Sequence, residues 1–208
     1  MKQRGPLLPL ETTWEQWVLG GGARAAFEDP SLPLHVEIGP GDDDHLMEAA
    51  RADPESNWLG IEYSGKRVRR QVRKIQREWG EPGNLRLIWR PAADLVGRFL
   101  SPGKVRAYHI YFPDPWPKAH HARFRLMDPD FLRALVESLE PEGTISLATD
   151  SQEYAEAIAE DFREVPALVS LLPAPHYVRR EPGPHVTAFE ARWREEGRDI
   201  LALEYRRA

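Results

Sequence analysis

Apolar positions along the chain fall into two kinds of run. Short, nearly continuous ones, Leu34 to Ile38, Asn57 to Glu62, Asn84 to Trp89, Val105 to Tyr111 and Thr144 to Thr149, are set off by glycine, proline and acidic clusters and read as strands. Between them, apolar residues recur at helical spacing. Val68, Val72, Ile75 and Trp79 stand four, three and four apart and predict a helix over about Ser64 to Trp79 with one apolar stripe. Phe131, Leu132, Leu135, Val136 and Leu139 predict another, with Asp128 as N-cap and Pro129 at its first position, and Pro141-Glu142-Gly143 predicts the turn that follows. Shorter helices are predicted from Asp42-Asp43-Asp44 to Ala52, over Asp94 to Leu100, and from a cap at Ser151 to about Glu164.

Five strands alternating with helices predict a parallel sheet covered on both faces. The ending breaks that rhythm. Ala167 to Leu172, a Pro-rich loop through Pro184, a helix near Phe189 to Glu196 and a last run, Ile200 to Tyr205, predict an antiparallel pair added at the sheet edge. The expected fold class is α/β, a mostly parallel seven-stranded sheet with an antiparallel edge pair and helices on both faces. Thr12 to Asp29 read as a helical arm carrying Trp14 and Trp17, so residues 1–30 are assigned to an arm and 31–208 to a single domain.

Composition narrows the chemistry. The chain of 208 residues has no cysteine, which excludes disulfides, thiolate metal sites and a cysteine nucleophile. Met1 to Leu10 holds prolines at 6 and 9 and no long apolar run, so neither signal peptide nor membrane span is expected, and a cytoplasmic location is. The net charge of −5 hides an asymmetry, because Lys66, Arg67, Arg69, Arg70, Arg73, Lys74 and Arg77 crowd into twelve residues. A charge run is ordinarily a solvated face. Only Glu78 is acidic within that helix, which favours a surface that tracks a polyanion.

Candidate chemistry gathers at strand ends. Tyr111-Phe112-Pro113-Asp114-Pro115-Trp116-Pro117-Lys118 leaves a strand and places three prolines in five residues, a stiff loop holding one carboxylate, an indole and an ammonium. Ligands of open α/β sheets bind at such carboxyl ends. Gly39-Pro40-Gly41 ends the first strand, and Glu62 follows Gly41 by twenty-one residues, where a carboxylate can accept from ribose hydroxyls. The dinucleotide fingerprint would need glycine at 44, where the chain has Asp44. Three aspartates there would repel a pyrophosphate yet tolerate a cationic ligand such as S-adenosylmethionine, and they would also cap the helix. The histidines read as structural or solvent-facing, and no metal is needed.

His35-Val36-Glu37-Ile38-Gly39-Pro40-Gly41, Gly60-Ile61-Glu62, the Asp-Pro-Trp segment, Ala148-Thr149-Asp150 and Thr187-Ala188-Phe189-Glu190, in that order, resemble the landmarks of the bacterial tRNA (guanine-N7-)-methyltransferases. The resemblance runs from about residue 34 to the C-terminus. It implies a Rossmann-like class I methyltransferase, with S-adenosylmethionine as donor and a guanosine in the variable loop of tRNA as acceptor. It puts Glu37, Gly39, Gly41, Glu62, Ala92 and Asp114 on cofactor positions, with Asp114 also catalytic. Lys118, Asp150, Thr187, Phe189 and Glu190 fall on positions for the tRNA. The chain departs from the family pattern at Asp43, usually glycine, at Pro91, usually Asp or Asn, and at Ala188, usually lysine. Two readings stand beside this one: a non-catalytic RNA-binding protein on the same scaffold, and a small-molecule methyltransferase. Whether the chain is a monomer or a homodimer is left open.

Overall fold

The computed structural model describes residues 26–114, 127, 129–183 and 186–208. The first strand, β1 (Leu34–Ile38), is short because Gly39 takes a left-handed φ of 72° that a strand cannot continue. It leads through a glycine turn into α1 (His45–Ala52), then β2 (Asn57–Glu62), α2 (Gly65–Glu78) and β3 (Leu85–Trp89). The same alternation continues through α3 (Ala92–Phe99), β4 (Val105–Tyr111), α4 (Pro129–Ser138), β5 (Leu139–Thr149) and α5 (Gln152–Arg163). The chain closes with β6 (Leu168–Ser170), β7 (Val178–Arg179), α6 (Ala188–Glu195) and β8 (Leu201–Arg207).

The sheet order is β3-β2-β1-β4-β5-β8-β6, with β7 attached to β8. Strands β1 to β5 pair in parallel, and β8 runs antiparallel to β5, β6 and β7. The antiparallel edge is as expected, but the described residues form eight strands rather than seven. The extra one is the two-residue β7 inside the Pro-rich loop. The predicted α/β layering places one apolar face of the sheet, including Val36, Ile38, Tyr108, Ile110, Ile145 and Leu203, against α3, α4 and α5. On the opposite face the Val68, Val72, Ile75 stripe of α2 and Leu46 and Met47 of α1 cover Trp58, Leu85 and Leu87, with Trp79 partly buried beside them. Full burial of each such side chain stabilises by about 1.5–3 kcal/mol, so both layers are firmly attached.

Three expectations are corrected. Leu139 is not the last helical residue but the first of β5, opposite Val105, and the ladder resumes only at Thr144 opposite Ala107. The predicted turn at 141–143 is therefore an irregularity within the strand, with Glu142 at φ 64° and its carboxylate on Arg206. Helix α3 starts at Ala92 instead of Asp94, with Pro91 extended at its N-cap. Most of the predicted N-terminal arm, including Trp14 and Trp17, lies outside the described residues, as does Asp128.

Candidate active site

The site is built at the carboxyl ends of β1, β2, β3 and β4. Gly39 (φ 72°) and Gly41 (φ 64°) turn the chain sharply, and the space where a Cβ of Gly39 would sit is open. The Gly39 N–H donates to the Ile61 carbonyl at 2.8 Å, which fixes the turn against β2. Glu62, only 1% exposed, accepts from the Gly41 N–H at 3.1 Å through Oε2 and from the Ser64 N–H at 2.8 Å through Oε1. One buried carboxylate thus holds both the glycine turn and the start of α2. Arg67 lies 4.0 Å from it.

Gly39, Glu62 and Arg67 line a pocket of about 290 Å³ together with Tyr63, Ala92, Phe112 and Asp114, among others, whereas Gly41 does not line it. Another part of the pocket wall is shaped by the exit from β4, where Phe112 adopts φ 52° and donates its N–H to the Ala148 carbonyl at 2.8 Å. A non-glycine residue in the left-handed region costs about 1–3 kcal/mol, so the turn that brings Pro113 and Asp114 to the pocket is held by its surroundings. Asp114 is exposed there. Lys118 and Trp116 lie outside the described residues.

Glu37 sits next to this pocket without lining it. It is 3% exposed, and its Oε2 meets His45 Nδ1 at 2.9 Å. Burial lowers the pKa of His45, but the hydrogen bond and charge of Glu37, together with Asp43, raise it above its usual value. Glu37, His109, Ser146 and Glu204 are register partners across four strands, so alternate positions of β1, β4, β5 and β8 line up a polar row on one face of the sheet. His109 is pushed down to about 3 by burial and by the nearby charges of His35, His45 and Arg180, so it is neutral. It links His35, at 3.1 Å, to the Tyr111 hydroxyl, at 3.3 Å.

The Thr187 to Glu190 segment opens α6. Thr187 caps the helix by accepting the Glu190 N–H at 3.0 Å, and Phe189 is 47% exposed. Glu190, 1% exposed, is held by Arg194 at 2.6 and 2.9 Å and by Arg180 at 3.5 Å. Arg180 also stands over the Tyr111 ring, 5.0 Å from its centroid, and so joins this segment to the strand that carries Asp114. Asp150 pairs with Arg198 at 2.7 Å. The substrate positions predicted from the C-terminal landmarks are therefore structured by arginines around α6, and Asp114, Glu62, Gly39 and Ala92 are brought together in the pocket.

The aspartates divide their work differently from the expectation. Asp44 occupies the N-cap position of α1 without a side-chain cap bond. Asp43 caps instead, its Oδ1 accepting from the Asp44 and His45 N–H groups at 2.7 and 3.1 Å, while its Oδ2 accepts from the Ala188 N–H. Two of the departures from the family pattern, Asp43 and Ala188, thus meet each other. Asp42 and Asp44 pair with Arg70 and Lys74 of α2. The basic helix therefore has more compensating acid than its own sequence indicates. Among the described residues, Lys66, Arg69 and Arg73 have no carboxylate partner.

Residues 31–203 match the family described as "Putative methyltransferase". A tRNA (guanine-N(7)-)-methyltransferase of Leifsonia xyli subsp. xyli is 38% identical over 176 residues, spanning 85% of this chain and 77% of that protein. One from Halorhodospira halophila is 32% identical over 208 residues, covering 98% of this chain and 89% of its own. The chain belongs to the tRNA (guanine-N(7)-)-methyltransferase family.

Solved structures similar to this family member include the 16S rRNA methyltransferase KamB, with a TM-score of 0.65 at 18% identity over 89% of this chain and 90% of that one. The aminoglycoside resistance methyltransferase NpmB1 gives 0.61 at 18% identity over 85% and 87%. Both share the fold, the Rossmann-like class I methyltransferase arrangement that the sequence implied. What sequence reasoning missed in this tRNA (guanine-N(7)-)-methyltransferase family member is Arg180, which carries no local signal and which only the fold brings to Glu190, whereas Arg194 meets Glu190 at the i, i+4 spacing of the predicted helix. Of the histidines, His45 and His109 reach the flank of the site through Glu37 and Tyr111, while His120, His121 and His185 lie outside the described residues.

Proposed function

We propose that the protein transfers the methyl group of S-adenosylmethionine to N7 of a guanosine in the variable loop of tRNA. The observation that carries this reading is the pocket that gathers Gly39, Glu62, Ala92 and Asp114 at the strand ends of a chain in this family. Its volume, about 290 Å³, is at the lower end of ordinary ligand sites and suits a nucleoside with a short tail.

The residues present fit the donor. Glu62 spends two acceptor sites on backbone N–H groups, and a carboxylate has about four, which leaves room for ribose hydroxyls. Open space at Gly39 admits close approach to the backbone, and the small Ala92 forms part of the wall. Glu37, fixed by His45, and Gly41, fixed by Glu62, shape the turn from beneath. When bound, S-adenosylmethionine supplies an electrophilic methyl carbon on a sulfonium.

Guanine N7 already carries a free lone pair, so no general base is required. Alignment is the larger task, and well-oriented reactants reach effective molarities of about 10⁵ M or more. Asp114 lies exposed on the pocket wall, where its carboxylate can accept from guanine donors and favour the positive charge that moves onto the purine. Because the major groove of A-form RNA is deep and narrow, the target must be reached in a loop or after extrusion. Glu190 acts as a positioning residue that holds Arg180 and Arg194, while Lys118, Asp150, Thr187 and Phe189 are assigned to the RNA. Residues 31–208 form the catalytic unit in this proposal, residues 1–30 an arm, and its setting is the cytoplasm.

The test is incubation with methyl-labelled S-adenosylmethionine and unmodified tRNA, followed by chain scission specific for N7-methylguanosine. Label in tRNA with one cut in the variable loop is expected. Cofactor binding without label in tRNA would overturn the assignment in favour of a small-molecule acceptor.

A further inference from the structure

Beside the pocket, at the carboxyl ends of β2 and β3, two large aromatic side chains stand in solvent. Tyr63 is 63% exposed and Trp89 51% exposed. Single exposed aromatics need no explanation. These two are tied to each other, because Trp89 Nε1 donates to the Tyr63 carbonyl at 3.0 Å. The indole also lies against the backbone of α2, since a Cβ at Gly65 would come within 2.7–2.9 Å of three of its ring atoms. Only glycine at 65 allows that approach, so the ring is seated rather than free to swing. Arg69 stands 5.8 Å from the indole centroid.

The surroundings are basic. Lys66, Arg69 and Arg73 recur at three and four residues along one edge of α2, which places them side by side. Arg90 follows Trp89 directly and is exposed. None of these four cations has a carboxylate partner among the described residues, whereas Arg70 and Lys74 on the neighbouring edge are paired with Asp42 and Asp44. In a chain of net charge −5, a seated aromatic pair ringed by unpaired cations is a local reversal of charge. Such a combination suits one ligand chemistry: cations for phosphates and an aromatic face for a base.

We infer that Trp89, with Tyr63 and the Lys66, Arg69, Arg73 edge of α2, forms a stacking platform for an unpaired nucleotide of the RNA substrate. This rests on the tRNA reading and adds to it a second point of contact. Tyr63 lines the same pocket as Asp114, so an RNA held on the platform lies along the mouth of the methyl-transfer site. The platform selects for unstacked substrate, since a base within a duplex has no free face to offer.

The test compares wild type, Trp89→Leu, Trp89→Phe and a Lys66→Ala/Arg69→Ala/Arg73→Ala triple variant. Leucine keeps apolar cover over Gly65 but removes the aromatic face, and phenylalanine retains one. Anisotropy measures affinity for a labelled single-stranded RNA oligonucleotide, for unmodified tRNA and for polyphosphate, and calorimetry measures affinity for S-adenosylmethionine. Base stacking contributes about 1–3 kcal/mol per base, roughly 5- to 150-fold in affinity. Trp89→Leu is expected to weaken both RNAs by about tenfold or more, Trp89→Phe to recover most of the loss, and polyphosphate and S-adenosylmethionine to be unaffected within twofold. The triple variant should weaken all polyanions and flatten the salt dependence.

RNA affinity unchanged in Trp89→Leu would overturn the platform. So would a fall in S-adenosylmethionine affinity as large as that for RNA, which would assign Trp89 to the donor pocket, or an equal loss for polyphosphate. The two proposals fail separately. A wild type that leaves tRNA unmethylated, yet binds the oligonucleotide through Trp89, refutes the tRNA assignment alone; full methylation with no Trp89 dependence refutes the platform alone.

Discussion

Replacing Glu62 by glutamine changes one atom and two contacts. Both carboxylate oxygens accept backbone N–H groups, from Gly41 at 3.1 Å and Ser64 at 2.8 Å, and the side chain is almost wholly buried. The amide can satisfy only one of them, and its NH₂ then faces the other N–H. The loss of a hydrogen bond to a charged acceptor is about 1.5–3 kcal/mol, and a buried donor left unsatisfied costs about 1–3 kcal/mol. Those figures overlap in part, so about 2–4 kcal/mol is expected, which for a chain of this size is a fall in Tm of roughly 4–16 °C. Because the same change loosens the glycine turn and removes an acceptor for ribose, S-adenosylmethionine should bind at least about tenfold more weakly. Differential scanning calorimetry gives the first quantity and titration calorimetry the second. A Glu62→Gln protein with Tm within 1 °C and unchanged donor affinity would refute the view that this carboxylate organises the site.

Other outcomes follow from the same geometry. Asp114→Asn should bind S-adenosylmethionine normally but lower kcat for tRNA by about tenfold to a hundredfold, as loss of one electrostatic stabiliser does; nearly full turnover would remove charge from its role. His109 is neutral in the fold down to a pKa of about 3, whereas an unfolded histidine binds a proton below 6.5, so its contribution is intact above that pH and is lost as pH falls from 6.5 towards 3. Urea midpoints of His109→Phe should therefore fall less steeply with acid than those of wild type, and parallel curves would contradict the assignment. Asp43→Ala removes the cap of α1 and the tie to Ala188, which should cost about 0.5–2 kcal/mol in stability and raise KM for tRNA more than for the donor. An unchanged KM for tRNA would show that this tie does not position α6.

Where short-range pattern decides structure, the sequence was a good guide. Asn57–Glu62 and Val105–Tyr111 form strands with the expected bounds, and Ser151 caps α5 through the Tyr154 N–H as a local motif should. Errors arise where a distant partner decides. Leu139 fits the helical stripe of α4 equally well, but its place opposite Val105 draws it into the sheet. Strand β7 has only two residues and exists because β8 is beside it. At the site, Gly39, Glu62, Ala92 and Asp114 converge because strand ends of a parallel sheet meet there. The helix α2 looked unbalanced in charge because its acids, Asp42 and Asp44, come from the glycine turn. Arg180 gave no signal, as its partners Tyr111 and Glu190 belong to different motifs.

Methyl transfer to guanosine N7 is checked by digesting unmodified tRNA to nucleosides and to mapped fragments after reaction with the protein and S-adenosylmethionine, and measuring both by mass spectrometry. N7-methylguanosine is expected as the sole new nucleoside, confined to the variable-loop fragment, and strongly reduced with Asp114→Asn. A methyl group on another atom or in another arm of the tRNA, or an equal yield from Asp114→Asn, would contradict it.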